Sequence, residues 1–357
     1  MKTYLVTGGA GFIGSSLIKK LLHDENNVII IDNFNDFYDY KIKMKNIINS
    51  VEFEIEKKEK ILNLISNNEK KEKNLKILNE NLSNKKFKLY IDDIRFQTAL
   101  ENIFLENKID IVIHLAAMAG VRPSFENIFL YEDVNIKGTL NILETMKKYN
   151  LKDFICASSS SVYGNNQKVP FSESDNLKNT LSPYAFTKKS CEELSHIYYQ
   201  NYGFNIIMLR FFTVYGEGQR PDLAIHKFLK LMKENKDIPF YGDGSSARDY
   251  TYIDDIIEGI EGAIKYCEKN NKNSKNIYEI VNLGGNKVIT LKEMVETLEK
   301  KSGYKANLKK MPFQKGDMKV TFADISKAEK LFGYFPKIPF DKGIENFTKW
   351  VEQITQK

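Results

Sequence analysis

The opening stretch from Tyr4 to Asn33 leaves this chain the fewest folds. A short apolar strand, Tyr4-Leu5-Val6, runs directly into Thr7-Gly8-Gly9-Ala10-Gly11-Phe12-Ile13-Gly14, and Leu17, Ile18, Leu21 and Leu22 follow at helical spacing. Glycines at 8, 11 and 14 allow a tight turn, close approach of backbone N–H groups to a pyrophosphate, and close helix–strand packing. Such a motif is weak on its own. Here a second apolar run, Val28-Ile29-Ile30-Ile31, ends in Asp32-Asn33, eighteen residues past Gly14. An acid at that strand end accepts both hydroxyls of a ribose and repels a 2′-phosphate, so the expected cofactor is NAD and not NADP. The competing reading of Asp32 is a plain turn residue.

The alternation of strand and helix continues. Residues 87–91 read as a strand ending at Asp92-Asp93-Ile94-Arg95, and residues 111–115 as the next, ending in Ala116-Ala117, small residues that let a dinucleotide lie against the backbone. A long amphipathic helix is expected over 130–149 and includes Asn135; residues 154–157 and 206–210 read as further strands. Strands separated by helices predict an α/β fold, a Rossmann-type doubly wound parallel sheet with its ligand at the strands' carboxyl ends. Every motif so far falls at such an end.

The chemistry is carried further along. In TLSPYAFTKKSCEE, Ser182-Pro183 suits a helix start, and Tyr184 stands four residues before Lys188 on one helix face. A lone Tyr-x-x-x-Lys is common by chance, and its bland reading is an exposed phenol beside a solvated ammonium. Twenty-five residues before Tyr184, however, the apolar run ICASSSSVYG ends in hydroxyls at Ser158 to Ser161. Serine, tyrosine and lysine in that order, after a glycine-rich N-terminus, make a proton-transfer set. A free phenol has a pKa of roughly 10, which a neighbouring ammonium lowers. Tyr184 then takes a proton from an alcohol while Ser159 holds the same oxygen, and hydride leaves the carbon for a nicotinamide. Lys188 tunes Tyr184 and holds the nicotinamide ribose.

At 357 residues the chain exceeds the usual single-core size, so two domains, or one with a smaller cap, are expected. Beyond Phe212 its character changes. Residues 213–222 are turn-rich, a helix is expected over 223–233, residues 241–250 form a glycine-rich loop, and 281–285 reads as a strand returning to the sheet. Helices follow over 291–301 and 325–332. The expected division is a NAD-binding domain over 1–213 plus 250–285, and a smaller C-terminal α/β lobe over 214–249 plus 286–357. That lobe carries Arg220 and Arg248, suited to phosphate and carboxylate.

The net charge of +6 hints at nucleic acid until it is located. Residues 41–88 hold 13 Lys and 7 Glu with no Asp or Arg, a surplus of six, and the remainder balances at 40 basic and 40 acidic residues. Mixed Lys, Glu and Asn read as a solvated face, and no nucleic-acid partner is expected. Within 41–86 the apolar positions Ile55, Ile61, Leu62, Leu64 and Ile65, then Leu75, Ile77, Leu78 and Leu82, are closer to helical than alternating, with Asn67-Asn68 as a break. A charged helical insertion is expected, with disorder as the competing reading. Cys156, Cys191 and Cys267 are odd in number and lack metal-ligand spacing, which points to a reducing compartment and to neither a disulfide framework nor a metal site. His114 and His196 lack partners at ligand spacing and read as structural. No apolar run approaches the ~18 residues of a membrane span, and MKTYLV leads into glycines as a strand and not a signal peptide. A cytoplasmic protein without membrane contact is expected.

Taken together, TGGAGFIG, IDNF, DDIR, HLAA, SSSSVYG, SPYAFTKK and RFFTVYG resemble the extended short-chain dehydrogenases/reductases, specifically the nucleotide-sugar epimerases. DNFNDFYD, AAMAGVRPSFEN, RFFTVYG followed by RPDLAIHKF, and GDMKVTFAD are similar to the marks of UDP-glucuronate 4-epimerases. The 41–86 insertion lies outside the resemblance. What the resemblance implies is a catalytic hydroxyl at Ser159, a base at Tyr184 and a lysine at Lys188. It implies NAD contacts at Gly8, Gly11, Phe12, Ile13, Gly14, Asp32, Asn33, Asp93, Ile94, Leu115, Ala116, Ala117 and Asn135, and at Tyr184, Lys188 and Phe211. Ser160, Ser161, Thr213 and Arg220 are implied to face a sugar carboxylate, and Arg248, Gln314 and Asp317 to serve the nucleotide of a UDP-sugar. A homodimer through the helices bearing Asn135 and Tyr184 is implied too.

Other readings stay open. The same fold hosts 4,6-dehydratases and decarboxylases, which carry an acid just before the Val-Tyr-Gly turn; Ser160-Ser161 stand there instead. A 4-epimerase of a neutral UDP-hexose or UDP-N-acetylhexosamine is one alternative. A non-catalytic NAD-binding scaffold is another, disfavoured because a scaffold needs no tuned phenol.

Overall fold

Apolar runs that are β-branched and unbroken by polar alternation make strands buried on both faces, and that pattern organises this protein. The computed structural model describes residues 1–51, 55–66, 68–177, 179–272, 276–312 and 318–355. Among them the strands are β1 (Thr3–Thr7), β2 (Asn27–Ile31), β3 (Phe87–Tyr90), β4 (Ile111–His114), β5 (Asp153–Ser159), β6 (Asn205–Phe211), β7 (Thr213–Tyr215), β8 (Asp237–Tyr241), β9 (Ala247–Tyr252), β10 (Tyr278–Leu283), β11 (Val288–Thr290) and β12 (Asn307–Met311). Seven form one sheet in the order β10-β6-β5-β4-β1-β2-β3. β1 pairs in parallel with β2 and with β4, β2 with β3, and β4 with β5. The order reverses between β1 and β4, the topological switch where such sheets bind ligands. The expected doubly wound parallel sheet is the one found.

The described residues divide into two compact units. The first holds Met1–Ala157, Thr187–Met208 and Lys269–Glu279. Its core is the sheet's own apolar run, with Leu5, Val6, Ile30, Ile31, Val112 and Ile113 fully buried. α1 (Phe12–His23) follows β1, and the insertion forms α2 (Tyr40–Ser50), α3 (Ile55–Ser66) and α4 (Lys71–Leu82). Met44, Ile47, Ile61, Ile65, Leu78 and Leu82 are buried, so the helical spacing read across 41–86 becomes packing faces, and the chain breaks between α3 and α4 near Asn68. α5 (Gln97–Glu106) precedes β4. After β4, α6 (Pro123–Glu126) and α7 (Ile128–Tyr131) lead through a π-helical turn, Glu132–Lys137, into α8 (Gly138–Lys148). One continuous helix was expected over 130–149; the π turn widens it around Asn135.

The second unit holds Ser158–Phe186, Leu209–Glu268 and Ile280–Lys357. The division falls inside α9 (Pro183–Tyr202), and these units cut the chain elsewhere than at the expected lobe boundaries. Residues 158–186 go with the C-terminal part because they are bonded there: through the backbone, Phe171 N–H donates to Phe322 O at 2.7 Å and Asp324 N–H returns to Phe171 O at 2.9 Å, and through side chains, Tyr163 Oη donates to Asn282 Oδ1 at 2.7 Å. A three-stranded sheet runs β11-β9-β7, and β8 pairs in parallel with β12. α10 (Ala224–Lys233), α11 (Ile253–Lys272), α12 (Leu291–Ser302), α13 (Ser326–Phe332) and α14 (Phe340–Thr355) complete the chain. Residues 213–215 and 247–250, expected in turn and loop, are strands instead; runs this short and this mixed in polarity carry no periodic signal. No helix among the described residues is long and apolar enough to cross a membrane.

Candidate active site

In the first unit the glycine-rich turn is built without room for side chains. Gly8 has φ of +68°, and a Cβ there would lie 2.7 Å from Ala116 N; a Cβ on Gly14 would lie 2.4 Å from Gly8 O. Both neighbours are backbone and cannot yield, so the turn is pressed against the end of β4. α1 then starts at Gly11 with no side-chain cap, leaving its first N–H groups and the positive end of its dipole for an anion. At the end of β2, Asp32 accepts from Ala10 N–H at 3.1 Å and from Phe34 N–H at 2.8 Å. Lys43 of α2 lies 3.8 Å from the same carboxylate, with both side chains 7% exposed, and donates to Asn35 Oδ1 at 2.9 Å.

Asn33 donates to Asp93 at 2.8 Å, and Arg95 binds that carboxylate through its backbone and guanidinium at 2.9 to 3.0 Å. Burial pushes the Asp93 carboxyl up, but Arg95 and Asn33 outweigh it and hold it below the usual carboxylate range. Leu115 N–H donates to Thr7 O, and Ala116 N–H to Thr7 Oγ1 at 3.1 Å. Asn135, 1% exposed, clasps Met118 by both backbone groups at 2.8 and 3.0 Å and donates to Thr187 Oγ1 at 2.9 Å. Lys188 is buried and donates to Ala157 O at 2.7 Å. This unit thus gathers Gly8, Gly11, Phe12, Ile13, Gly14, Asp32, Asn33, Asp93, Ile94, Leu115, Ala116, Ala117, Asn135 and Lys188. A turn that leaves no room for a Cβ at Gly8 or Gly14, an uncapped helix start and an acid at the next strand end fit a dinucleotide.

The second unit holds the hydroxyls. Ser159 ends β5 and caps the short 3₁₀ turn Ser160–Tyr163: its Oγ accepts from Ser161 N–H at 3.2 Å and from Ser161 Oγ–H at 3.0 Å. A hydroxyl has two acceptor sites and one proton. With both lone pairs taken, Ser159 is left to act as a donor. Ser182 caps α9, its Oγ accepting from Ala185 N–H at 3.1 Å, and Pro183 and Tyr184 open that helix, with Lys188 one turn further on. Phe211 ends β6, and Thr213 begins β7. Arg220 makes a two-point contact with Asp222 at 3.0 and 2.8 Å. Arg248 lies in β9 and donates to Ala247 O at 2.8 Å. Gln314 and Asp317 lie outside the described residues.

Residues 48–347 match the family model described as GDP-mannose 4,6 dehydratase. A UDP-glucuronate 4-epimerase of Thermodesulfobacterium geofontis is 41% identical over 354 residues, covering 99% of this chain and 97% of that one. The chain belongs to this family of extended short-chain dehydrogenases/reductases. Its family likeness extends to solved structures. The UDP-glucuronic acid 4-epimerase of Bacillus cereus in complex with UDP-glucuronic acid and NAD is 36% identical with a TM-score of 0.81, and 99% of each chain is covered. A UDP-glucose 4-epimerase of Thermotoga maritima with UDP-glucose is 27% identical with a TM-score of 0.80, again over 99% of each. Against this family frame, Lys43 and Asp222 are the charged partners that sequence reasoning missed. Asp222 had a signal, two residues from Arg220; Lys43 had none, being one of 13 lysines in its stretch.

Proposed function

We propose that this chain is an NAD-dependent nucleotide-sugar 4-epimerase that converts UDP-glucuronate to UDP-galacturonate through a transient 4-keto sugar. The observation that carries the reading is the set Ser159, Tyr184 and Lys188, placed at a strand end and a helix start with serines, not carboxylates, at 160 and 161. The first unit's glycine turn, Asp32, Asn33 and Asp93 hold the dinucleotide. Bound NAD supplies a two-electron acceptor that gives back what it takes, so turnover has no net redox change.

Tyr184 removes the proton from the sugar's C4 hydroxyl, and Lys188 favours the phenolate form by its charge. Ser159, its lone pairs occupied by Ser161, donates to the same C4 oxygen and steadies it as a ketone. Once the keto sugar has turned over, return of the hydride to the opposite face of C4 would invert that carbon, and Tyr184 returns the proton to the C4 oxygen. Ser160, Ser161, Thr213 and Arg220 face the sugar carboxylate; Arg248, with Gln314 and Asp317, serves the nucleotide. Holding the carboxylate keeps its C–C bond out of line with the adjacent ketone, so CO₂ is retained. In functional terms residues 1–213 plus 250–285 bind NAD and 214–249 plus 286–357 bind the sugar nucleotide.

The same proposal includes a cytoplasmic homodimer formed through the helices that bear Asn135 and Tyr184. Phe129 at 85% exposure, and Leu140, Phe186 and Ile197 at 38 to 55%, leave apolar surface on these elements. A monomer in sedimentation at micromolar concentration contradicts that part.

One observation favours a second reading. Arg220 is already matched by Asp222, which weakens its pull on a carboxylate and suits a neutral UDP-hexose. Incubation with UDP-glucuronate and UDP-glucose, followed by proton NMR of the sugar, decides. UDP-galacturonate as the product, with kcat/KM higher for the uronate, is the expected result. Equal or better kcat/KM for UDP-glucose, or a pentose product, overturns the uronate assignment, and unchanged sugars would leave only a scaffold.

A further inference from the structure

His114 closes β4 at 2% exposure, and both of its ring nitrogens are engaged. Nδ1 lies 2.7 Å from Thr7 Oγ1, and Nε2 lies 3.0 Å from Thr139 Oγ1. The direction of each bond follows from its neighbours. Thr139 spends its single hydroxyl proton on Asn135 O at 2.5 Å, so it can only accept from His114, and Nε2 must carry the hydrogen. An uncharged ring then has Nδ1 as its acceptor, and Thr7 Oγ1–H is the donor. Thr7 in turn accepts Ala116 N–H at 3.1 Å. Burial, reinforced by the Lys188 charge, depresses the His114 pKa to about 3, which keeps the ring uncharged. The result is one unidirectional chain: Ala116 N–H, Thr7 hydroxyl, His114 imidazole, Thr139 hydroxyl, Asn135 carbonyl.

Both ends of this chain matter to the site. Thr7 immediately precedes the glycine turn, and Ala116 is the residue against which Gly8 is pressed. At the other end, Asn135 sits in the π-helical turn, where carbonyls bond five residues ahead and not four. Its oxygen also receives Cys191 Sγ–H at 3.2 Å, and its side chain holds Thr187, the neighbour of Lys188. All of these residues lie in the first unit.

We infer that His114 is a positioning residue of the epimerase: its ring, locked as the Nε2–H tautomer, ties the glycine-rich turn and the Ala116 backbone to the π turn that sets Asn135, Thr187 and Lys188. This rests on the epimerase reading above. The ring touches neither sugar nor proton in transit; it fixes the distance and polarity between two groups of cofactor-holding residues. Glutamine reproduces the pattern, accepting at its carbonyl and donating at its amide, whereas phenylalanine fills the space and stacks on Phe154 as His114 does but severs both bonds. Leaving a buried polar group unmatched shifts an equilibrium by about tenfold or more.

The test uses the full chain carrying bound NAD, labelled with ¹⁵N-histidine, as wild type and as His114→Phe, His114→Gln and Thr139→Val. The wild-type His114 nitrogens should report the Nε2–H tautomer without change between about pH 5 and 8; the Nδ1–H tautomer, or titration in that range, overturns the inference. NAD dissociation should quicken by about tenfold or more in His114→Phe, with kcat reduced by a similar factor and the sugar KM within about twofold. His114→Gln should restore both to within about threefold. Equal behaviour of the two variants shows a space-filling role only and overturns the inference. Should His114→Phe fail to fold, Thr139→Val decides, since it leaves the imidazole in place and cuts the chain at Thr139, removing both the acceptor at Nε2 and the donor to Asn135 O; unchanged NAD dissociation there is the overturning result. If wild type converts no UDP-sugar, the epimerase reading falls while tautomer and NAD dissociation still judge His114.

Discussion

Replacing Lys43 by methionine keeps the aliphatic stem and removes the ammonium that faces Asp32 across 3.8 Å, where each side chain is only 7% exposed. At an effective dielectric of about 20, two unit charges at that distance attract by about 4 kcal/mol. The desolvation of both ions offsets much of this in the intact pair, but removing one partner exposes the full cost of the other, about 3 to 5 kcal/mol. Asp32 keeps its bonds from Ala10 and Phe34, which places Lys43→Met at the lower end, about 3 kcal/mol. Asp32→Asn removes the stranded charge, so the double variant should lose about 2 kcal/mol less than the sum of the singles. Urea unfolding followed by circular dichroism at pH 7, read as midpoint shifts at constant slope, measures all four corners of the cycle. A buried pair is weakly screened, so the coupling should survive added salt. Additivity within about 0.5 kcal/mol refutes the reasoning and makes Lys43 another solvated lysine of the insertion.

Tyr184→Phe should lower kcat by about 10² to 10⁴ while NAD stays bound; near-normal turnover removes Tyr184 from the chemistry. Arg220→Ala should raise KM for UDP-glucuronate by about tenfold or more and change UDP-glucose little, as expected for a charge-assisted bond of about 1.5 to 3 kcal/mol. Asp222→Ala should lower the uronate KM by removing a carboxylate that competes for the guanidinium, and a raised KM would show that the pair positions Arg220. Burial pushes the Asp249 carboxyl up to about 7 from an ordinary value of 3.8, despite N–H bonds from Gly285 and Ala323. The folded protein then binds the proton that the unfolded chain releases, so Asp249 lowers stability as pH rises from about 4 to about 7, with no further change above. Asp249→Asn should flatten that slope in urea midpoints; an identical slope in both proteins excludes Asp249 as its source.

The parts that were legible are those whose chemistry is local. TGGAGFIG states a turn, Asp32 states a strand end, and Val28 to Ile31 state burial on both faces, so the doubly wound parallel sheet could be expected without coordinates. Helices α3 and α4 were legible by spacing alone. What escaped was tertiary. Thr7 and His114 are partners across 107 residues, and nothing in HLAA distinguishes a wired imidazole from a packed one. The donor role left to Ser159 depends on how the 3₁₀ turn aims Ser161. β12, Asn307–Met311, is almost wholly exposed and forms only because β8 offers an edge. Residues 158–186 join the second unit through bonds at Phe171 and Asn282, both far along the chain from one another.

The π turn at Glu132–Lys137 makes the element around it sensitive to length as well as to identity. Each residue added to or removed from a helix rotates what lies beyond it by about 100°. Deleting any one residue between 132 and 137 would let the backbone close into ordinary α-helix, and α7 and α8 would then face in new directions relative to each other. After a deletion at 132, 133 or 134, Asn135 keeps its clasp on Met118 or Tyr131 keeps its bond to Ala119 O, but not both. A single-residue deletion here should therefore lower stability more than substitution of an exposed side chain of the same element, such as Glu132.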